Sequence, residues 1–478
     1  LTDLYQLTMA YGYWKTGIGQ REAVFQLTFR KHPFRGGFTV ACGLSAALDY
    51  YRRFRFSPGD LAYLVTLTGA DGSRLFEPAF LDYLGELRLS CDIDAVVEGT
   101  VVFPHEPLVR VRGSLLQCQL LETPLLTLVN FQTLIATKAA RVCLAARGDA
   151  VLEFGLRRAQ GIDGGVTASR AAYVGGCAAT SNVLAGKLYG IPVRGTHAHS
   201  WVMAFDDELE SFEAYARALP NNCVFLVDTY DTLEGVRRAC QVGNWLREHG
   251  HQMQGIRLDS GDLAYLSIEA RKILDEAGFP QAAILASSDL DEHLINSLKE
   301  QGSKITVWGV GTRLATSFDQ PALGGVYKLA AIRSADGQWQ HKLKLSEQAA
   351  KVSTPGMLAV RRFRGAEGFI ADAIFDELGD PSCLQSCTIV DPLDPTRRKT
   401  IAAGTDFEDL LQPVVRSGQQ VYDEPSLEAT RRHAQEQLSE FHASIKRFIN
   451  PHEYPVGLEQ SLHELKTRLI LEARGVES

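Results

Sequence analysis

Gly195-Thr196-His197-Ala198-His199-Ser200-Trp201 is best read with three later stretches: Leu226-Val227-Asp228-Thr229-Tyr230-Asp231, Ile256-Arg257-Leu258-Asp259-Ser260-Gly261-Asp262 and Trp308-Gly309-Val310-Gly311-Thr312. In each later stretch an apolar run stops abruptly at polar, charged or glycine residues, and a helical pattern usually follows. Strands of an α/β barrel present their chemistry at their C-terminal ends in this way. The groups presented here are imidazoles, carboxylates, an arginine and a glycine-rich turn, a set suited to a highly phosphorylated substrate.

The same grammar extends outward. From about residue 150, apolar runs alternate with helical patterns at the roughly 20–35-residue spacing of βα units. Candidate strands are 150–154, 193–196, 224–227, 255–258, 284–287, 305–308 and 326–332, and candidate helices between them are 208–219, 233–248, 263–277 and 290–301. Each helix starts near an acidic or hydroxyl residue, as helix starts prefer. These strands predict an α/β barrel, irregular or incompletely closed; an open doubly wound sheet is the alternative. No Gly-x-Gly-x-x-Gly opens a helix, and there is no Walker-type phosphate loop.

Upstream, residues 1–120 mix both patterns and predict an α+β domain. Residues 4–14 have helical spacing with Thr2-Asp3 available as a cap, and 24–30 alternate like a strand. Residues 92–120 read as short strands around Gly99, Pro104, Pro107 and Gly113, and 121–142 as a long apolar helix. Beyond 345, short strands and turns run to 425, followed by amphipathic helices at 426–449 and 458–473. The expected division is an α+β domain at 1–125, a barrel with the active site at 126–350, and a C-terminal region at 351–478 packing on both.

The chain has 478 residues, 45% of them hydrophobic, and a formal net charge of −8. That is a globular composition with a sizeable core, and its acidity argues against a nucleic-acid partner. No apolar run approaches the ~20 residues of a membrane span, so no membrane association is expected. The opening Leu1-Thr2-Asp3-Leu4-Tyr5-Gln6 reads as a structured start with no signal peptide. The nine cysteines, Cys383 among them, contain no Cys-x-x-Cys pair. They read as reduced core residues of a cytoplasmic protein, with no zinc site expected.

His199 is the leading catalytic candidate, because a neutral imidazole past a strand end is a nucleophile able to accept a phosphoryl group. His197 lies two positions earlier, and a single histidine at a strand end is more often structural. Asp228 and Asp259 open adjacent βα loops, where carboxylates hold Mg²⁺ directly or through water, or grip ribose hydroxyls. Asp231 and Asp262 have the plainer reading of helix caps. Gly309, Gly311 and Thr312 form a turn whose backbone N–H groups can approach phosphate oxygens, although many such turns are only turns. Arg157 and Arg158 carry guanidinium forks for carboxylate or phosphate, one of them being expected at the surface. Tyr5 and Phe154 are candidates for stacking on an aromatic ring, against the commoner role of such residues in a core.

Taken together, these segments resemble the nicotinate phosphoribosyltransferase family over about residues 1–360. The resemblance rests on Leu1-Thr2-Asp3-Leu4-Tyr5-Gln6, Glu153-Phe154-Gly155-Leu156-Arg157-Arg158-Ala159-Gln160-Gly161 and Thr180-Ser181-Asn182-Val183-Leu184-Ala185-Gly186. Gly195-Thr196-His197-Ala198-His199-Ser200, the segments at Asp228, Asp259 and Gly309, and Gly325-Val326-Tyr327-Lys328-Leu329 complete it. It implies a type II phosphoribosyltransferase fold, an irregular α/β barrel with an N-terminal domain and a C-terminal extension, working as a homodimer with shared active sites. The implied reaction joins nicotinate to 5-phosphoribosyl-1-pyrophosphate in NAD salvage, with ATP as co-substrate and Mg²⁺ as cofactor. The resemblance places a phosphohistidine on His199, Mg²⁺ near Asp228 and Asp259, and pyrophosphate on Arg257 and the Gly309–Thr312 backbone. The pyridine ring falls between Phe154 and the partner's Tyr5, with its carboxylate on Arg157. Ser181 stands where nicotinamide-using relatives carry an acid, which favours nicotinate over nicotinamide. The same fold acting on nicotinamide or quinolinate, or a non-catalytic nucleotide-binding relative, is the alternative.

Overall fold

A computed structural model of the chain describes residues 1–348, 351–380 and 386–475; Cys383 lies outside them. By internal packing, Ile135–Pro321 with Leu427–Arg432 form one unit, and Leu1–Leu134, Ala322–Ser426 and the segment from His433 onward form another. These limits compare with expected boundaries at 125 and 350.

The first unit is built on six parallel strands: β1 (Ala150–Glu153), β2 (Ala179–Thr180), β3 (Val224–Leu226), β4 (Gly255–Leu258), β5 (Ala283–Ser288) and β6 (Val307–Val310). Their order is β2-β1-β6-β5-β4-β3. The first strand therefore lies beside the last, as in a barrel and unlike a sheet wound outward from its centre. Closure is irregular. Val193 makes one parallel bridge to Thr180, and no strand forms over 193–196. Pro192 and Gly195 bracket Val193, and both residues weaken a β ladder. On the other side of this seam, side chains do the joining. His197 Nε2 accepts the Leu226 N–H at 3.3 Å, and Asn222 Nδ2 donates to the Gly195 carbonyl at 3.3 Å.

The helices Thr232–Glu248, Leu263–Glu276 and Glu292–Glu300 follow β3, β4 and β5. Each starts where Asp231, Asp262 or Asp291 accepts backbone N–H groups of its first turn. Asp231 and Asp262 are thus the caps their plainer reading expects. The helix Gly161–Val174 was not expected, since the glycines that open it mask its periodicity. The strand expected at 305–308 lies two residues later, with Gly309 inside it opposite Leu152 and Ser287.

One expected barrel strand belongs elsewhere. Gly325–Arg333 runs antiparallel to Glu22–Phe29 in a seven-stranded sheet of the other unit, with Phe25 and Tyr327 stacked 5.1 Å apart. Alternation shows that a strand is half-buried but does not name its partner. In the same unit the expected run of strands to 120 ends at Ser114. Ser114 accepts the Gln117 N–H and starts the helix Leu115–Leu120. Asp3 sits at the start of helix Leu4–Lys15 without a side-chain cap bond; it accepts instead from Thr123 Oγ1 at 2.7 Å. The helix expected over 426–449 stops at Ser439. A second, six-stranded sheet contains the antiparallel pair Leu358–Gly365 and Gly368–Asp376. Buried Phe25, Phe29, Ile93, Val111, Val360 and Ile374 share one core in this unit. No helix among the described residues is long and apolar enough to cross a membrane.

Candidate active site

Four of the expected residues meet at the C-terminal rim of β3 and β4. Asp228, two residues past β3, accepts the Asp259 N–H at 2.8 Å and the Ser260 hydroxyl at 2.7 Å, both through Oδ2. This ties one strand end to the next. Its Oδ1 is buried without a hydrogen-bond partner. Asp259 Oδ1 accepts from Arg257 Nη2 at 3.0 Å and from Ser287 Oγ at 2.5 Å. The other oxygen, Oδ2, lies 3.8 Å from His199 Nε2. Arg257 reaches round the group: Nε donates to Ser287 Oγ at 2.6 Å, and Nη1 to Thr196 Oγ1 at 3.2 Å and the His197 carbonyl at 3.4 Å. The loop before His199, the Asp228 loop and the Asp259 loop are thereby held in one hydrogen-bonded set.

The two imidazoles have separate environments. His199 opens the short helix His199–Met203, remains 39% exposed at its side chain, and places Nδ1 3.1 Å from Thr229 Oγ1. His197 is buried against Phe212 and Tyr215. Because its Nε2 accepts from Leu226, its proton sits on Nδ1, toward the Ala198 carbonyl 3.4 Å away. Burial holds the His197 pKa down at about 4, the nearby Arg257 and His199 acting in the same direction. His197 is thus a neutral closure residue whose lone pair is already spent, which leaves His199 as the accessible imidazole of the pair.

The aromatic side of the rim is shaped by absent side chains. A Cβ on Gly309 would meet the Phe154 ring at 2.8 and 3.0 Å and Ser287 Cβ at 3.3 Å. Gly309 lies inside strand β6 and not in the turn that follows it. It makes room for the ring of Phe154, which in turn lies 5.9 Å from the Arg257 guanidinium. A Cβ on Gly155 would meet Ala315 Cβ at 2.3 Å and the Gly311 carbonyl at 2.8 Å, so the loops after β1 and β6 touch backbone to backbone. Thr312 begins the helical turn Thr312–Ala315 just beyond.

Buried Glu153 organises these loops: Oε1 accepts the Gly155 N–H at 2.5 Å, while Oε2 accepts from Thr180 Oγ1 at 2.6 Å and Ser169 Oγ at 2.9 Å. Ser181 N–H donates to the Glu153 carbonyl at 2.9 Å. Arg157 lies exposed on the turn Leu156–Arg158, and Tyr5, 48% exposed, belongs to the other unit. Sequence reasoning missed Glu153, Thr229 and Ser287. Ser287 ends an apolar run, the rule that found Asp228, and Glu153 is a carboxylate inside an apolar run, itself a signal of a buried polar anchor.

Groups of three or more metal-ligating side chains are absent among the described residues. Mg²⁺ keeps several waters and is typically held by one or two carboxylates together with substrate phosphates. The unpartnered Oδ1 of Asp228 and the outward Oδ2 of Asp259 fit that mode of binding. A separate small cleft in the other unit is lined by Arg30, His105, Lys328, Lys344 and Lys351 among others; it contains none of the rim residues above.

Comparison with known proteins agrees over nearly the whole chain. The nicotinate phosphoribosyltransferase N-terminal domain profile matches residues 1–130, the family profile residues 150–352 and the C-terminal domain profile residues 358–466. Nicotinate phosphoribosyltransferase of Bacillus subtilis is 44% identical, covering 98% of this chain and 96% of that protein. The Caenorhabditis elegans protein of the same name is 38% identical, covering 99% and 93%. The crystal structure of human nicotinic acid phosphoribosyltransferase superposes with a TM-score of 0.85 at 34% identity, covering 98% of this chain and all of that one. By profile, sequence and fold alike, the chain belongs to the nicotinate phosphoribosyltransferase family.

Proposed function

We propose that this protein transfers the phosphoribosyl group of 5-phosphoribosyl-1-pyrophosphate to nicotinate, forming nicotinate mononucleotide and pyrophosphate in NAD salvage, and couples the transfer to ATP hydrolysis through a phosphohistidine on His199. The observation that carries the reading is the hydrogen-bonded set joining Asp228, Asp259 and Arg257, with His199 Nε2 3.8 Å from Asp259.

The pyridine nitrogen attacks C1 of the sugar while the C1–oxygen bond to pyrophosphate breaks, and the bonding pair leaves with pyrophosphate. No proton need move, so the protein's task is to align the reactants and to stabilise charge on the leaving group. Arg257 is charged, mostly buried and already held by Ser287 and Asp259, so it meets an oxyanion with little reorganisation. The Gly311–Thr312 turn adds backbone dipoles. Asp228 Oδ1 and Asp259 Oδ2 would hold Mg²⁺, which neutralises phosphate charge when bound. Phe154, seated by Gly309, offers one face to the pyridine ring, and in a homodimer Tyr5 of the partner subunit would offer the other. Arg157, exposed on its turn, is free to meet the nicotinate carboxylate; Ser181 brings no repelling charge. The reading places the enzyme in the cytoplasm.

The test supplies the protein with phosphoribosyl pyrophosphate, Mg²⁺ and ATP, and lets nicotinate, nicotinamide and quinolinate compete. Nicotinate mononucleotide should dominate, and ATP should raise its yield. Product from nicotinamide or quinolinate in preference would overturn the substrate assignment. An undiminished ATP effect in His199→Ala would remove the phosphohistidine.

A further inference from the structure

We propose that Thr229 is a positioning residue for the ATP-coupled half of the reaction: its hydroxyl selects which nitrogen of His199 reacts. The proposal rests on the phosphohistidine reading above. A neutral imidazole carries one N–H and one lone pair, and only the nitrogen with the lone pair is a nucleophile. The two nitrogens of His199 face different groups. Nδ1 is 3.1 Å from Thr229 Oγ1, at hydrogen-bond distance; Nε2 is 3.8 Å from Asp259 Oδ2, beyond it. A carboxylate on the Nε2 side draws the proton to that nitrogen and consumes the lone pair. A hydroxyl can accept Nδ1–H or donate to a bare Nδ1; in the proposed arrangement Thr229 accepts, in the shorter of the two contacts, which keeps the lone pair on Nε2.

The hydroxyl is well placed to do so, because its loop is anchored on both sides. Asp228, just before it, is fixed by the Asp259 N–H and the Ser260 hydroxyl. Asp231, two residues after it, accepts the Glu234 N–H at 2.9 Å and caps the next helix. Asp259 is itself occupied on Oδ1 by Arg257 and Ser287, which weakens its pull on the ring. The contrast with His197 is instructive. There a backbone N–H takes the Nε2 lone pair, the opposite of what a nucleophile requires.

In the step itself, an Nε2–phosphorus bond forms as the bond from the γ-phosphorus of ATP to its bridging oxygen breaks, and ADP leaves with that electron pair. The Nδ1 proton stays on the ring, held by Thr229, and disperses the positive charge that develops. On hydrolysis, water oxygen bonds to phosphorus, the pair of the N–P bond returns to Nε2, and the proton lost by water goes to solvent.

The experiment compares the wild type, Thr229→Val and Thr229→Ser as full-length enzyme. Nitrogen-15 NMR of histidine-labelled protein, with the His199→Ala spectrum to assign the signal, reads the tautomer. Acid-labile label from γ-³²P-ATP reads the phosphoenzyme. The wild type should show the Nδ1–H tautomer and T229V a shift toward Nε2–H. Phosphoenzyme in T229V should fall about tenfold relative to the ATP-independent transfer rate of the same preparation, with T229S restoring it. A wild-type Nε2–H tautomer, or T229V with an unchanged ratio of phosphoenzyme to ATP-independent transfer, would overturn the assignment to Thr229. Absence of labelled wild-type enzyme is a different result: it removes the phosphohistidine reading, and the Thr229 proposal with it.

Discussion

At the scale of single residues, the chemistry here depends on which side chains are spent and which are left free. His197 and His199 are two positions apart and chemically identical, yet one is buried with its lone pair committed and the other is accessible. The buried one has a measurable consequence. An unfolded histidine takes a proton near pH 6.5, whereas folded His197 resists until about pH 4. The unfolded state therefore binds more protons between those values, and stability falls as pH drops through that window, with no further loss from this residue below it. Between pH 6.5 and 5 this amounts to about 2 kcal/mol. Urea unfolding of His197→Gln should lose less stability than the wild type over that interval, by roughly that amount. An equal loss in both proteins would show that other buried histidines, such as His32 and His105, carry the acid sensitivity. Gly309 gives a second residue-scale prediction. Gly309→Ala drives a methyl into the Phe154 ring, so the KM for nicotinate should rise about tenfold while the fold loses about 1–3 kcal/mol. An unchanged KM would separate Phe154 from the base.

At the scale of elements, strand ends are placed by close approaches that tolerate no side chain. A Cβ on Gly235 would meet the Val227 carbonyl oxygen at 2.2 Å, so the helix Thr232–Glu248 rests directly on the backbone that leads into Asp228. Gly235→Ala should push that helix outward and move Asp228 and Thr229 with it. The expected result is a drop in kcat of at least about tenfold, with a stability loss of about 1–3 kcal/mol in thermal unfolding. Normal kcat in a destabilised variant would show that the loop is held from the Asp259 side alone. Much of this scale was legible beforehand. The β3, β4 and β5 strands and their capped helices lie within a residue or two of expectation, because apolar period and aspartate caps are local signals. The partner of Gly325–Arg333 was not legible, since its alternation suits any half-buried strand.

At the scale of the molecule, the unit that includes Leu1–Leu134 and Ala322–Ser426 contains a charged centre that composition does not reveal. Arg362 and Asp372 are fully buried and paired, with Gln437 and Tyr454 completing their hydrogen bonds and the rings of Phe103, Phe369 and Phe441 around the guanidinium. Glu106 lies in the same interior, and burial, followed by the charge of Asp372, pushes its carboxyl well above the ordinary range. The folded state therefore keeps a proton that the unfolded chain releases near pH 4.5. The stabilisation is fully present below that pH and is lost as pH rises toward the folded pKa. Glu106→Gln replaces the protonated acid with a neutral amide and removes this loss. Its Tm should equal that of the wild type at pH 5 and exceed it at pH 8. A lower Tm at both values would mean that the carboxyl geometry matters more than its proton.

The amino-acid sequence by itself determined where strands end, which helices are capped and which residue types stand at the rim, because these follow from short-range periodicity and local hydrogen bonding. It also carried the family, through ordered motifs from Leu1 to Leu329. Only the tertiary structure decided that His197 closes the barrel while His199 stays accessible, that Gly309 seats Phe154, and that Ser287 and Thr229 orient Asp259 and His199. Those outcomes depend on contacts between residues about 30 to 155 positions apart, and no local pattern encodes which of two equivalent side chains such contacts will use.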